Sequence, residues 1–196
     1  MHFLPQLTDR THALVLGDGD GRFLAALLQQ NPTLTSDAVD TSAPMLKLLR
    51  LRCERIAPNA SSRLKVHQAD ALNYLSAAPP RTYDLVVTHF FLDCLTQNEV
   101  DALATNVSAR VIPEAVWLIS DFRVPPGVMR LPAQLIVRSL YLAFRMTTGL
   151  RTRQLPDHSL ALTRAGFTRI AQSLSLFGIL TTELWTRAPL TEPAGL

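Results

Sequence analysis

The sequence predicts an α/β fold: a mostly parallel, seven-stranded sheet with helices on both faces. Three observations carry that prediction. Short apolar runs alternate with amphipathic stretches from about residue 13 to residue 121, and strands in such alternation run parallel and are covered on both sides by their crossover helices. A turn punctuated by glycine at alternate positions, Gly17-Asp18-Gly19-Asp20-Gly21, joins the first strand to the first helix. Near the C-terminus two strand-like runs meet tightly at Gly178, the pattern of a β-hairpin at a sheet edge.

Strands are read at 13–17, 34–39, 64–69, 83–89 and 115–121, and helices at 22–30, 44–56, 71–77 and 97–111. Ala13 to Leu16 is a short apolar run closed by glycine, as a buried strand requires. Thr96-Gln97-Asn98-Glu99 is a capping-box pattern that opens the fourth helix, and Pro113-Glu114 is expected to close it. A helix at 157–165 ends at Gly166, and strands at 167–175 and 178–187 form the terminal hairpin. Leu190 onward reads as a short loose tail. No internal repeat or low-complexity segment interrupts the chain, so residues 1–196 are read as one domain.

One segment departs from the alternation. Val124-Pro125-Pro126-Gly127-Val128 opens a linker, and Leu131 to Gly149 reads as an additional helix. Arg130, Gln134, Arg138, Tyr141 and Arg145 fall three to four apart and share one stripe, with Ile136, Leu140, Ala143 and Phe144 largely opposite. The bland reading is a surface helix with a solvated basic face. The functional reading makes 124–156 a lid on the substrate side, because it follows the C-terminal end of the fifth strand, where ligands of open parallel sheets bind.

Glycines at positive φ let the backbone turn tightly and let a ligand approach with no Cβ in the way. The helix that follows points its free N–H groups at that ligand. Asp40 closes the second strand roughly 20 residues later, where an acid accepts hydrogen bonds from ribose hydroxyls. A nucleoside-bearing cofactor is therefore expected. The dinucleotide fingerprint needs Gly-x-Gly-x-x-Gly, but here Arg22 stands at its last position. A pyrophosphate facing Asp18 and Asp20 would be repelled by several kcal/mol, on the order of a close charge pair. S-adenosylmethionine has no phosphate and carries a sulfonium and an ammonium, so it tolerates these acids.

In these features the chain resembles the class I S-adenosylmethionine-dependent methyltransferases, particularly the small-molecule type. The resemblance spans about Ala13 to Phe122. It rests on Gly17, Gly19 and Gly21; on Val39-Asp40-Thr41-Ser42-Ala43-Pro44-Met45-Leu46; on His67-Gln68-Ala69-Asp70-Ala71-Leu72; on Tyr83-Asp84-Leu85-Val86-Val87-Thr88; and on Ala115 to Asp121. It implies a Rossmann-like three-layer sandwich with strand order 3-2-1-4-5-7-6, one strand antiparallel. It also implies cofactor contacts from Gly17, Asp18, Gly19, Asp20, Gly21, Asp40, Thr41, Met45, Asp70, Ala71, Leu72, Thr88 and His89. The family often carries an acid two residues before the first loop glycine, and here that position is Val15. Each motif also has an ordinary explanation: a turn at the glycines, helix caps at Asp40 and Asp70, and core packing at Met45. Their order and spacing together decide for the cofactor.

Methyl transfer from a sulfonium is a one-step displacement, so the protein mainly positions the acceptor; a base is needed only if the acceptor must lose a proton. Thr88 to Leu95 follows the fourth strand and is expected to run past the methyl group. His89 is the preferred base, set against a purely structural histidine. Asp93, four residues on, is expected to face the same pocket from one turn or to orient an amine or hydroxyl. Phe90, Phe91, Arg123, Tyr141 and Arg145 are the candidate substrate contacts, and His158 is a weaker candidate near a helix start.

Composition narrows the partners. The chain has 196 residues, 47% of them apolar, yet no uninterrupted apolar run reaches the roughly 18 residues of a membrane span; peripheral membrane contact stays open. Cys53 and Cys94 are too few for a disulfide framework or a zinc site, and no metal is expected. With no basic start and long apolar core at the N-terminus, a reduced cytoplasm is the expected home. Net charge is +3, but from Phe122 to Thr182 arginines face a single acid, Asp157, an asymmetry that marks a side meeting an anionic partner. Thr88-His89-Phe90-Phe91 lacks the Asn/Asp-Pro-Pro-Tyr/Phe motif that holds a flipped base, and no aromatic-and-arginine platform points to nucleic acid. The expected activity is methylation of a small molecule, anionic or lipid-headed if the arginine stripe lines the pocket mouth. The alternatives are a catalytically silent S-adenosylmethionine-binding protein and a nucleic-acid methyltransferase.

Overall fold

The structure is a computed structural model that describes residues 2–80, 82–123 and 156–189. Its strands are β1 (His12–Leu16), β2 (Thr35–Asp40), β3 (Leu64–Gln68), β4 (Tyr83–His89), β5 (Val111–Phe122), β6 (Phe167–Ser175) and β7 (Leu180–Arg187). They form one sheet in the order β3-β2-β1-β4-β5-β7-β6. The pairs from β3 through β5 are parallel, and β7 inserts antiparallel between β5 and β6. This is the expected order.

Side chains alternate across a strand, and each parity feeds one core. Ala13 and Val15 of β1, with Leu85 and Val87 of β4, pack under α1 (Arg22–Gln30) and α2 (Ala43–Ile56) through Phe23, Leu24, Leu27, Leu28 and Leu49. Leu14, Leu16, Val86, Trp117 and Ile119 face the other way. They meet α4 (Ala71–Ala77), α5 (Gln97–Arg110) and α6 (His158–Arg164) through Leu75, Leu103, Val107 and Leu162. Three layers result, with a core on each side of the sheet. Cys53 of α2 is fully buried in the first core, and burial, then the Asp18 carboxylate, push its thiol up to about 12.

Polar anchors fix the frame. Buried Asp84 accepts hydrogen bonds from Thr11 N (2.6 Å), Thr11 Oγ1 (2.7 Å) and His12 N (2.9 Å), which holds the entrance of β1 to β4. The capping box of α5 forms as read: Thr96 N donates to Glu99 Oε2 at 2.7 Å, and Glu99 N donates to Thr96 Oγ1.

Departures from the expected elements are few. A 3₁₀ turn at Leu4–Leu7 and a short helix, α3 (Ala60–Arg63), have no counterpart in the reading. Pro113 does not end α5; it lies within β5, which begins at Val111. The register slips between Tyr83 and Leu85, and Glu114 takes φ 62°, so the proline occupies an irregularity where no ladder donor is required. The 124–155 part of the expected lid, with its helix at 131–149, and the tail from Leu190 lie outside the described residues.

Candidate active site

The loop between β1 and α1 holds all three glycines in the left-handed region, at φ 69°, 55° and 78° for Gly17, Gly19 and Gly21. Their surroundings differ. A Cβ on Gly17 would stand 2.5 Å from Phe91 Cδ2, and one on Gly21 would stand 2.7 Å from Leu49 Cγ. One on Gly19 would meet nothing within 4 Å. Gly17 and Gly21 are small so that the protein can close on them; Gly19 faces open space.

The loop acids serve the protein. Gly21 is the N-cap of α1 and has no side chain to offer, so Asp18 reaches in and accepts from Leu24 N at 3.0 Å. Its other oxygen lies 3.0 Å from His89 Nδ1. Asp20 accepts from Arg52 Nη2 at 2.7 Å while its carbonyl accepts from Arg52 Nε at 2.9 Å, which ties the loop to α2. The expected repulsion of a phosphate by these acids is therefore weakened, because each is matched from within.

Farther along the same edge, Asp40 closes β2 with Oδ1 accepting from Ser42 N at 2.7 Å. Asp70 follows β3 and caps α4 by accepting from Asn73 N at 3.0 Å. Met45 and Leu72 are half-buried, Ala71 is buried and Thr41 is exposed. Thr88 turns into the core, where its hydroxyl accepts from Trp117 Nε1 at 3.1 Å. Val15, where the resembling family often has an acid, is a buried core residue.

At the end of β4 the structure gives His89 and Asp93, expected to face one pocket from a single turn, different surroundings. His89 continues the parity of Leu85 and Val87, packs edge-to-face with Phe23 at 4.5 Å between ring centroids and binds Asp18. Phe90 then takes φ 51°, a left-handed conformation that costs a non-glycine residue about 1 kcal/mol or more. That turn lays Phe91 against Gly17 and carries Leu92 and Asp93 to the opposite face of the sheet. An i, i+4 spacing joins two side chains only on a helix, and only Leu92–Cys94 form a 3₁₀ turn here. Phe90, exposed, stacks beside Phe122 at 5.0 Å between centroids.

Asp93 instead lines a second hollow, of about 440 Å³, between the ends of β5 and β7 and the start of α6. Glu183 stands at its floor and accepts from Arg169 Nη1 (3.1 Å), Gln172 Nε2 (2.9 Å) and Trp185 Nε1 (2.8 Å), with His158 Nε2 at 3.4 Å. Burial alone would raise Glu183; His158, Trp185 and Arg169 overturn that and hold it at about 2. Asp121 lies alongside, 1% exposed, with one oxygen accepting from Phe91 N at 3.2 Å. Burial, then the neighbouring Asp93 carboxylate, raise Asp121 well above the ordinary carboxylate range. The reading of the sequence missed Asp121 and Glu183. Their signal was parity: Trp117-x-Ile119-x-Asp121 and Thr181-x-Glu183-x-Trp185 place acids on the core-facing side of two strands. Of the expected substrate contacts, Arg123 lines this hollow, and Tyr141 and Arg145 lie outside the described residues.

A parallel sheet of this order, carrying a glycine loop after β1, an acid at the end of β2 and an antiparallel β7, defines the class I, Rossmann-like methyltransferase fold. The chain belongs to the methyltransferase domain family, which matches residues 14–116, and the cofactor of that class is S-adenosylmethionine. Solved structures share the fold at low identity. An O-methyltransferase family protein from Burkholderia thailandensis is 15% identical with a TM-score of 0.69, over 97% of this chain and 56% of that one. The mitomycin 7-O-methyltransferase MmcR is 16% identical with a TM-score of 0.68, over 93% and 50%. The N-methyltransferase NodS from Bradyrhizobium japonicum WM9 is 13% identical with a TM-score of 0.63, over 95% and 93%. The chain thus spans about half the length of the first two. No curated protein matches it in sequence.

The residues fit the cofactor. The space beyond Gly19 is open, the loop acids are matched internally, and Asp40 and Asp70 stand at neighbouring strand ends with half-buried Met45 and Leu72 after them. No basic side chain from the loop is left to hold a phosphate, since Arg22 turns back on Asp20 at 3.2 Å.

Proposed function

We propose that this chain transfers the methyl group of S-adenosylmethionine to a small-molecule acceptor. The observation that carries this reading is the glycine loop, open over Gly19 and flanked by the strand-end acid Asp40. The bound cofactor supplies a methyl group already activated on a sulfonium, so the protein's share is binding and positioning. Asp40 would hold the ribose hydroxyls and Asp70 the adenine amino group, with Met45 and Leu72 against the ring. His89 has Nδ1 committed to Asp18, which leaves Nε2 as the nitrogen through which it would take a proton from an acceptor that must lose one. Asp93, on the other face, would orient the acceptor rather than work with His89. Phe90 and Phe122, whose rings meet at 5.0 Å between centroids, would offer the acceptor an aromatic surface.

The expectation of an anionic or lipid-headed acceptor drew on Arg138 and Arg145, which lie outside the described residues. Among the described residues no helix is long and apolar enough to cross a membrane, and both cysteines are free thiols, which supports a reduced, cytoplasmic setting. Incubation with methyl-labelled S-adenosylmethionine and a panel of phenols, amines and carboxylates tests the proposal. Labelled product is expected for at least one class. Cofactor binding without turnover across the panel would turn the reading to a silent binding protein, and absence of cofactor binding would end it.

A further inference from the structure

The hollow between β5, β7 and α6 is built unlike the rest of the molecule. On this face the apolar rows of Trp117 and Ile119 on β5, and of Trp185 on β7, end in Asp121 and Glu183. Two acids pointing into a core are costly unless something meets them. Glu183 is met in full by Arg169, Gln172, Trp185 and His158. Asp121 is not: its second oxygen, Oδ2, is buried and has no hydrogen-bond partner among the described residues. Asp93 lines the same cavity beside it, with Oδ1 accepting from Cys94 Sγ at 3.4 Å, and is raised by burial as well. The cations of the cavity do not answer Asp121. Arg169 and His158 are bound to Glu183, and Arg123, which also lines the cavity, does not donate to Asp121 Oδ2.

We infer that this pocket recognises a ligand through a cationic nitrogen, an alkylammonium or comparable amine, seated on Asp121 Oδ2. Three features select that chemistry. A buried acceptor with no partner asks for a donor, and an N–H or O–H would serve. Two carboxyl groups side by side favour a donor that brings positive charge, because it relieves both their mutual repulsion and their desolvation. A metal ion does not suit, as no three histidine, cysteine or acidic side chains among the described residues are placed to hold one. A cavity of about 440 Å³ takes a small molecule. That the occupant is the methyl acceptor rests on the proposed function; that it carries a basic nitrogen does not. On this account the acceptor is chosen by the acids of β5 and of the turn after β4.

The experiment uses the whole chain and three probes of matched size: 1,4-diaminobutane, 1-butanol and butyrate. Trp185 donates to Glu183 on the cavity floor, so its indole N–H resonance reports occupancy. The diamine is expected to shift that resonance saturably, the alcohol to act more weakly and butyrate not at all. In Asp121→Asn the diamine should bind about tenfold more weakly or worse, the loss of one charged hydrogen bond, while S-adenosylmethionine affinity by calorimetry stays at the wild-type level. If the diamine leaves Trp185 unmoved, if butyrate binds as well, or if Asp121→Asn binds the diamine like wild type, the inference is overturned. Should the variant fail to fold, the comparison of the three probes on the wild-type chain decides alone. Diamine binding in a chain that takes up no cofactor would sink the methyltransferase reading and leave this one standing.

Discussion

At Asp40 one carboxylate oxygen is already fixed by Ser42 N at 2.7 Å, so the side chain is oriented before any ligand arrives. Asp40→Ala removes both the turn contact and the ribose acceptor, and S-adenosylmethionine affinity should fall by about 1.5–3 kcal/mol by calorimetry; unchanged affinity would move the ribose contact elsewhere. Gly19→Val should be worse. No neighbour crowds a Cβ there, so the penalty comes from the branched side chain entering ligand space and from φ 55°. The variant should keep most of its thermal stability yet bind cofactor least well, and a mutant that merely unfolds would contradict this account. The structure also places His89 and Asp93 differently from one shared pocket: four-residue spacing suits a helical turn, but Phe90 at positive φ redirects the chain, so that His89 meets Asp18 while Asp93 lines the hollow beside Asp121. Asp121 was legible by parity alone, two residues beyond Ile119 on the face that Trp117 and Ile119 give to the core; a charged residue in a strand is usually taken for its exposed face.

Elements were far more legible than side-chain partners. The helices at 22–30 and 71–77 and the strands at 83–89 and 167–175 have the bounds the apolar periodicity gives. Three of the four follow a stop: Gly21 before α1, Asp70 before α4, Gly166 before β6. The short α3 was invisible, because four residues do not complete a period and Ala60–Arg63 buries only Ala60. Arg63 is what makes it matter: its guanidinium donates to the carbonyls of Leu28, Asn31, Leu34 and Pro58, gathering the end of α1 and the start of β2. The clearest local signal, Thr96 to Glu99, is also the easiest to test. Thr96→Ala removes the cap of α5, a helix carrying buried Val100, Leu103, Ala104 and Val107. Chemical denaturation should show a loss of about 1 kcal/mol with no change in denaturant slope.

For the whole molecule, acid is the revealing variable. Asp37 on β2 lies 2.9 Å from His12 Nε2 and 2.7 Å from His67 Nε2, and accepts from Tyr83 OH at 3.2 Å, so one carboxylate ties β2 to β1, β3 and β4. Burial alone would raise it; the two imidazoles bring it from 3.8 to about 2. A carboxyl group held below its unfolded value adds stability that is complete above that value and is lost as pH falls through the folded one. For Asp37 the contribution is on the order of 2 kcal/mol, and Glu183, also held at about 2, behaves alike. Asp37→Asn should therefore lower the thermal midpoint at neutral pH. It should also flatten the midpoint's decline from pH 3.8 to about 2, the interval over which wild type loses this term. Parallel pH curves for the two chains would show that the triad contributes nothing to folding.

The thiol sealed beneath α2 has a use of its own. Cys53 is fully covered and protonated far above neutral pH, and only the thiolate reacts with an alkylating reagent. Iodoacetamide should thus modify it only slowly in the native chain and quickly in denaturant. Because the sulfur is wholly covered in the folded chain, its slow alkylation in plain buffer counts the rare openings that expose it, and a cofactor that binds only the closed form should slow that count. The protein carries a built-in timer of its own opening, readable by mass spectrometry without a mutation.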